Sequence, residues 1–86
     1  MHFVKNVEYV ESYILMLTFE DGLVKRIDLS SHLDGPIFTK LKDLNYFKTV
    51  KLHLDLDTVY WDNGADFSPD FLYDHAQTVS GYKKAA

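Results

Sequence analysis

Residues 13–19 of this 86-residue chain would place apolar side chains on both faces of a β-strand. One face would carry Tyr13, Leu15, Leu17 and Phe19, and the other Ile14 and Met16. A strand that is apolar on both faces is typical of a central position with packing on either side. Because the chain has no cysteine, disulfides and thiolate metal sites are excluded, and packing alone must stabilise the fold. We expect one domain, residues 1–86, with 82–86 as a frayed C-terminal tail.

The segments on either side of this strand also have the patterns of strands. Residues 3–10 are rich in β-branched and aromatic side chains, and residues 23–29 would place three aliphatic side chains and Lys25 on one face. Short turns separate the three segments, at 11–12 and at 20–22, where Gly22 supplies the positive φ of a tight hairpin. The pattern predicts a three-stranded antiparallel meander.

The middle of the chain predicts a helix followed by two strands. Residues 30–36 form a polar connector that ends in a proline suited to the first position of a helix. The following apolar residues recur at helical spacing: Ile37, Phe38, Leu41 and Leu44. This spacing predicts a short amphipathic helix that is broken at 45–47. Alternating residues at 50–54 and a β-rich run at 58–61 predict the fourth and fifth strands.

The last predicted element is a helix that begins after Ser68. A serine at the N-cap, proline at the first helical position and an acid in the first turn each favour a helix start there. One face would carry Leu72, His75, Ala76 and Val79, with Gly81 as the stop and Lys83 and Lys84 near the negative end of the helix. The resulting order, β-β-β-α-β-β-α, predicts an α+β fold in which short helices pack mainly on one face of an antiparallel sheet.

The net charge of −4 comes from 13 acidic and 9 basic residues, and it lies entirely within residues 52–86. Six acids follow one another there without an intervening Lys or Arg: Asp55, Asp57, Asp62, Asp66, Asp70 and Asp74. An acidic chain is not expected to bind nucleic acid directly, because phosphate contacts need clustered Lys and Arg. No signal peptide or membrane-spanning run is present in the sequence, so we expect a cytoplasmic protein without membrane contact.

Carboxylates near one histidine leave a metal-dependent enzyme open as an alternative function. His53, Asp55 and Asp57 lie within five residues of one another, and oxygen-rich groups of this kind bind divalent cations. Their spacing does not match a calcium loop of the EF-hand type. The competing interpretation is structural: a hairpin turn, a turn acid and a cap at the entry to the last helix, for which Asp66 is the candidate. The sequence contains no Gly-rich phosphate loop and no pattern for a nucleophile, so we assign no cofactor and no catalytic residue.

Aromatic residues in the acidic region favour protein binding, which is the function that we expect. Tyr and Trp are enriched in interfaces, and clustered carboxylates attract basic partners. The candidate contact residues are Tyr60, Trp61, Asp62, Asn63, Asp66 and Tyr73. We expect another small protein, a basic one by charge, as the partner. A self-assembling structural module is a third alternative, for which the edge of the N-terminal strand would pair with a second copy.

Three groups of residues carry a family resemblance. They are Phe19-Glu20-Asp21-Gly22 with Asp28-Leu29; Gly35-Pro36-Ile37-Phe38 with Leu41-Lys42-Asp43 and Phe47; and Trp61-Asp62-Asn63-Gly64-Ala65-Asp66 with Pro69-Asp70 and Leu72-Tyr73. Together they resemble the small bacterial domain-of-unknown-function 2442 family. Its most specific motif, Trp-x-Asn-Gly-Ala-Asp, is present at residues 61–66, with Asp62 in place of the usual proline.

The resemblance implies a stand-alone α+β domain with no settled activity. Members often lie beside a second small gene, so the resemblance also implies the antitoxin half of a toxin–antitoxin pair. Some relatives carry an added DNA-binding helical domain. We expect none here, because the chain ends before one, and direct promoter binding is therefore not expected.

Overall fold

A computed structural model describes residues 2–80 of the chain. Its strands are β1 (Val4–Glu11), β2 (Ile14–Phe19), β3 (Val24–Asp28), β4 (Lys51–His53), β5 (Thr58–Tyr60) and β6 (Gln77–Ser80). Its α-helices are α1 (Leu44–Phe47) and α2 (Pro69–His75), with 3₁₀ turns at Ser30–His32 and Thr39–Lys42. The α+β prediction is confirmed, and the order β-β-β-helix-β-β-helix holds up to the end of α2.

The main sheet has four antiparallel strands in the order β1-β2-β3-β6. The predicted meander forms its first three strands, with Leu17 paired with Val7 on one side and with Lys25 on the other. The turn at 20–22 is built as expected, because Gly22 has a φ of 89° and the Asp21 carboxylate accepts the Leu23 N–H at 3.0 Å. The strand at 13–19 is therefore central in its sheet.

The core lies on one side of this sheet. Its fully buried side chains come from every part of the chain: Val4, Leu15, Leu17, Phe19, Leu29, Leu33, Leu41, Phe47, Val59, Trp61 and Leu72. Both helices and the second sheet supply residues to it, so the elements outside the main sheet cover one face only. The prediction that the central strand is covered on both sides is wrong, since Ile14 and Met16 are only half-buried and do not belong to the core cluster.

The helical segment in the middle of the chain differs from the prediction. Only a 3₁₀ turn forms at Thr39–Lys42, and the α-helix lies at Leu44–Phe47, so residues 45–47, which were predicted to break the helix, are helical. Asp43 explains the shift, because its carboxylate accepts the Asn45 N–H at 3.0 Å and caps a new helical turn. The turn buries Phe47 completely.

The chain after α2 also differs from the prediction. The helix ends at His75, and Ala76 adopts an extended conformation (φ −82°, ψ 154°) that leads into β6. Strand β6 forms hydrogen bonds with the open edge of β3. The helical spacing of the apolar residues at 72–79 does not predict this strand. As a result Val79 is not on a buried helical face but is 52 % exposed. The predicted stop at Gly81, the lysines after it and the tail at 82–86 lie outside the described residues.

The fourth and fifth strands form a separate two-stranded hairpin and do not extend the main sheet. The hairpin is shorter than predicted, at three residues a strand, and leaves Leu54 outside β4. It is joined to the start of β1 by a hydrogen bond of 2.8 Å from the Val4 N–H to the Asp57 carbonyl. No helix in the described part of the chain is long and apolar enough to cross a membrane.

Candidate protein-interaction surface

The Trp61–Asp66 motif folds as a compact turn at the end of β5. The Trp61 N–H donates to the Ala65 carbonyl at 2.9 Å, and the Gly64 N–H donates to the Trp61 carbonyl at 3.0 Å. Gly64 has a φ of 92°, which only glycine adopts without strain. Within the turn, the Asn63 side-chain oxygen accepts the Ala65 N–H at 3.0 Å. The Asn-Gly-Ala part of the motif is thus explained by backbone geometry.

Asn63 also fixes this turn to a distant part of the chain. Its side-chain amide donates to the Ile37 carbonyl at 3.0 Å, and its backbone N–H donates to the Tyr46 hydroxyl at 2.8 Å. One asparagine therefore forms hydrogen bonds both within its own turn and to the segment at residues 37–46. These bonds give Asn63 a structural function in this conformation.

Trp61 is the centre of the core. It has no exposed surface, and its indole N–H donates to the Phe47 carbonyl at 2.9 Å. The indole packs against the Phe47 and Phe67 rings, with centroid distances of 5.5 and 6.0 Å. A side chain that is already buried cannot offer area to a partner, so the proposal of Trp61 as an interface anchor is wrong for this conformation.

Tyr60, Asp62 and Asp66 remain at the surface around β5. Tyr60 is half-buried and forms an isolated antiparallel bridge with Asp66, which is exposed. Asp62 accepts two hydrogen bonds from the Lys51 ammonium group, at 2.8 and 3.1 Å, and these bonds raise the pKa of Lys51. Asp66 does not cap α2, because the Ser68 hydroxyl accepts the Phe71 N–H there.

The tip of the β4–β5 hairpin carries the most exposed large apolar side chain of the described residues. Leu54 is 80 % exposed and Leu56 is 56 % exposed, with Asp55 between them. His53 connects the tip to the strand, since its Nδ1 accepts the Leu56 N–H at 3.2 Å and its ring lies 5.2 Å from that of Tyr60. The alternation at 50–54 predicts that Leu54 lies on the buried face of the fourth strand, and residues 55–57 are predicted only as a turn, so the sequence pattern indicates neither leucine as exposed.

We define the hairpin surface as the tip residues Leu54, Asp55 and Leu56 together with Tyr60 at the end of β5 and Asp66, which bridges Tyr60. Three of the six predicted contact residues lie on it or at its base, namely Tyr60, Asp62 and Asp66. Trp61 and Asn63 have the structural functions described above, and Tyr73 lies in another cluster.

Tyr73 belongs to a cluster that joins α2 to the β2–β3 turn. Its hydroxyl donates to the Asp21 carboxylate at 2.7 Å, and the His2 ring stacks on its ring at 3.5 Å. The ammonium group of Lys25, a residue only 8 % exposed, lies 3.6 Å from the ring centroid and donates to the Tyr73 carbonyl at 2.9 Å. Each of these contacts is internal and stabilises the end of α2 against the sheet.

Two pKa values in this cluster follow from its hydrogen bonds. The Leu23 N–H, and then the Tyr73 hydroxyl, hold the pKa of Asp21 below its ordinary value because they stabilise the carboxylate. The bond to Asp21 raises the pKa of Tyr73, because the phenolate would lose the bond and face a negative charge.

The residues considered for a metal site are not assembled into one. His53 Nδ1 is engaged by the Leu56 N–H, and the Asp57 carboxylate accepts a hydrogen bond from Lys5 at 2.9 Å. Among residues 2–80 no group of three His, Asp or Glu side chains is placed to hold a metal ion.

Comparison with known proteins identifies the family of this chain and nothing more specific. The search of curated proteins and the search of solved structures each returned no match. The family model described as protein of unknown function (DUF2442) matches residues 4–78. This range includes the β-meander, the core tryptophan and the Asn-Gly turn. The chain therefore belongs to the DUF2442 family.

Proposed function

We propose that this chain is a small protein-binding module that docks a basic partner through the hairpin surface. The observation that carries the proposal is the exposure of Leu54 and Leu56, at 80 % and 56 %, on a tip built by well-formed strands. Two exposed leucines at the tip of a hydrogen-bonded hairpin offer a partner apolar area.

The size of the contact indicates how much of the affinity these leucines supply. Burying one leucine fully is worth about 2 kcal/mol, so the exposed fractions of Leu54 and Leu56 together are worth about 3 kcal/mol. A micromolar complex needs about 8 kcal/mol. The leucines are therefore the apolar centre of a larger interface, to which the half-buried Tyr60 also contributes.

Charge indicates the kind of partner. Asp55 and Asp66 are both exposed, and within residues 2–80 neither has a Lys, Arg or His within ion-pair distance. Unpaired carboxylates around an apolar centre attract basic proteins and repel acidic ones. The family resemblance supports a more specific proposal, in which the partner is a small toxin encoded by the neighbouring gene and this chain is its antitoxin.

Co-expression of the chain with the product of the neighbouring gene tests the proposal, followed by calorimetric titration of the two purified proteins. We expect a complex, and we expect the double variant Leu54→Asp, Leu56→Asp to raise its Kd at least about tenfold. The matched control is Leu44→Asp, which makes the same change at a leucine 39 % exposed on α1.

The control should bind as the wild type does, and thermal unfolding should show that all variants fold. Absence of a complex at about 100 μM would rule out this partner. Equal affinity of the double variant and the wild type would rule out the hairpin surface.

A further inference from the structure

The outer face of the main sheet, opposite the core, carries an apolar stripe that no described residue covers. The stripe consists of Ile14, Met16 and Val24, all half-buried and none part of the core cluster. The solvated face of an antiparallel sheet normally carries polar side chains at these alternating positions. We infer that this face is a second docking surface, which takes a basic amphipathic α-helix of another protein.

The strand register places charged residues on both sides of the stripe. Met16 pairs with Glu8 on β1 and with Arg26 on β3, and Ile14 pairs with Glu11 and with Asp28. Side chains directly opposite each other in a sheet lie about 5 Å apart, so charged side chains flank Ile14 and Met16. Val24 pairs instead with Thr18 and Ser80. The face is therefore an apolar patch with charged residues on both sides of its β2 part.

The dimensions of the face favour a helix over a second copy of the chain. Strand β2 has six residues and so extends about 20 Å, and the four strands together span about 15 Å. A rectangle of these two lengths has an area of about 300 Å². This area is well below the roughly 800 Å² that each partner buries in a stable interface between folded proteins. A helix of about 13 residues is about 20 Å long and 10 Å wide, so it fits on a face of these dimensions.

The charges on the border favour a basic helix. Three acids, Glu8, Glu11 and Asp28, stand against Arg26, whose guanidinium lies 3.8 Å from the Glu11 carboxylate. The border thus has an excess of two negative charges. Lysines or arginines beside the apolar face of a helix would meet these carboxylates, whereas a second copy would bring the same excess of acids.

A shallow cleft at one end of the stripe offers a position for one side chain of the helix. Its volume is about 250 Å³, and it is lined by Ile14, Arg26, Asp28, His75 and Gln77. Ile14 and Asp28 in this lining suit a long side chain with a cationic end, such as lysine or arginine, whose methylene groups would lie over Ile14.

NMR titration of the isotope-labelled chain with a synthetic peptide tests the inference. The probe is a peptide of about 14 residues made of Leu and Lys at helical spacing, and its control has the same composition in strict alternation, which favours a strand. We expect the helical peptide to shift the signals of Ile14, Met16 and Val24 and to leave Leu54 and Leu56 unchanged. Equal shifts by both peptides, or no saturation by about 1 mM, would overturn the inference.

Variants separate this surface from the hairpin surface. Met16→Lys places a cation in the stripe and should raise the Kd for the helical peptide at least about tenfold, whereas Leu54→Lys should leave it unchanged. If Met16→Lys unfolds the chain, Glu8→Lys at the exposed border should still raise the Kd severalfold. If Leu54→Lys raises the Kd and Met16→Lys does not, the peptide binds the hairpin surface and the inference is wrong. If the wild type is a dimer that Glu8→Lys strengthens or Met16→Lys dissociates, the occupant of this face is a second copy of the chain and not a helix.

Discussion

Substituting Trp61 by Phe separates a core function for this residue from an interface function. The change removes the indole N–H bond to the Phe47 carbonyl, which costs about 1 kcal/mol. It also removes about 40 Å³ from a site with no exposure, and at about 24 cal/mol per Å³ this adds about 1 kcal/mol. We therefore expect Trp61→Phe to lower the free energy of unfolding by about 2 kcal/mol. A domain of this size has a total of only about 4–13 kcal/mol.

The assay is urea unfolding followed by far-UV circular dichroism, because Trp61 is the only tryptophan and the variant has no tryptophan fluorescence. With a slope near 1 kcal/mol/M, the midpoint should fall by about 2 M urea. Leu54→Phe is the control, since the same new side chain at an exposed site should change stability by no more than about 0.5 kcal/mol. A loss below about 0.5 kcal/mol in Trp61→Phe would refute the reasoning.

Three further predictions concern side-chain hydrogen bonds. Asn63→Ala should lower the free energy of unfolding by about 2 kcal/mol in the same assay, because the Ala65 N–H and the Ile37 carbonyl both lose a partner. Ser68→Ala should lower it by about 1 kcal/mol through loss of the α2 cap, whereas Ser68→Asp should retain stability. The pKa of Asp21 is depressed by folding, so its contribution is present above about pH 4 and is lost as pH falls through the folded value. Asp21→Asn should therefore destabilise the chain at pH 7 and much less at pH 2, and should lower the pKa of Tyr73 in a spectroscopic titration.

The parts of the fold that local sequence encodes were predictable. The turn at Gly22 depends on a glycine with positive φ, and the start of α2 depends on the Ser68 hydroxyl and a following proline. In both cases the residues that make the structure are adjacent in sequence. The three-stranded meander followed from the same kind of signal, since each strand is joined to the next by a short turn.

The parts that tertiary contacts decide were not predictable. Strand β6 begins one residue after α2 because it pairs with the edge of β3. The sequence Gln77–Ser80 does not itself indicate this pairing. The burial of Trp61 has the same origin. A tryptophan beside polar residues fits an interface as well as a core, and only the position of Phe47 decides between them. Conversely, Leu54 fits an alternating strand pattern, and the early end of β4 leaves it in solvent.

The late position of β6 in the chain has a consequence for the order of folding. Strands β1, β2 and β3 close through short turns, whereas β6 reaches β3 from about 50 residues away, which raises the entropy cost of closure by about 2 kcal/mol relative to a turn of about five residues. The meander should therefore form early and β6 should dock last. In native-state hydrogen exchange, the amides of β6 should therefore exchange through an opening of lower free energy than those of β2. This opening leaves a three-stranded sheet in which the edge of β3 is free to pair with another strand.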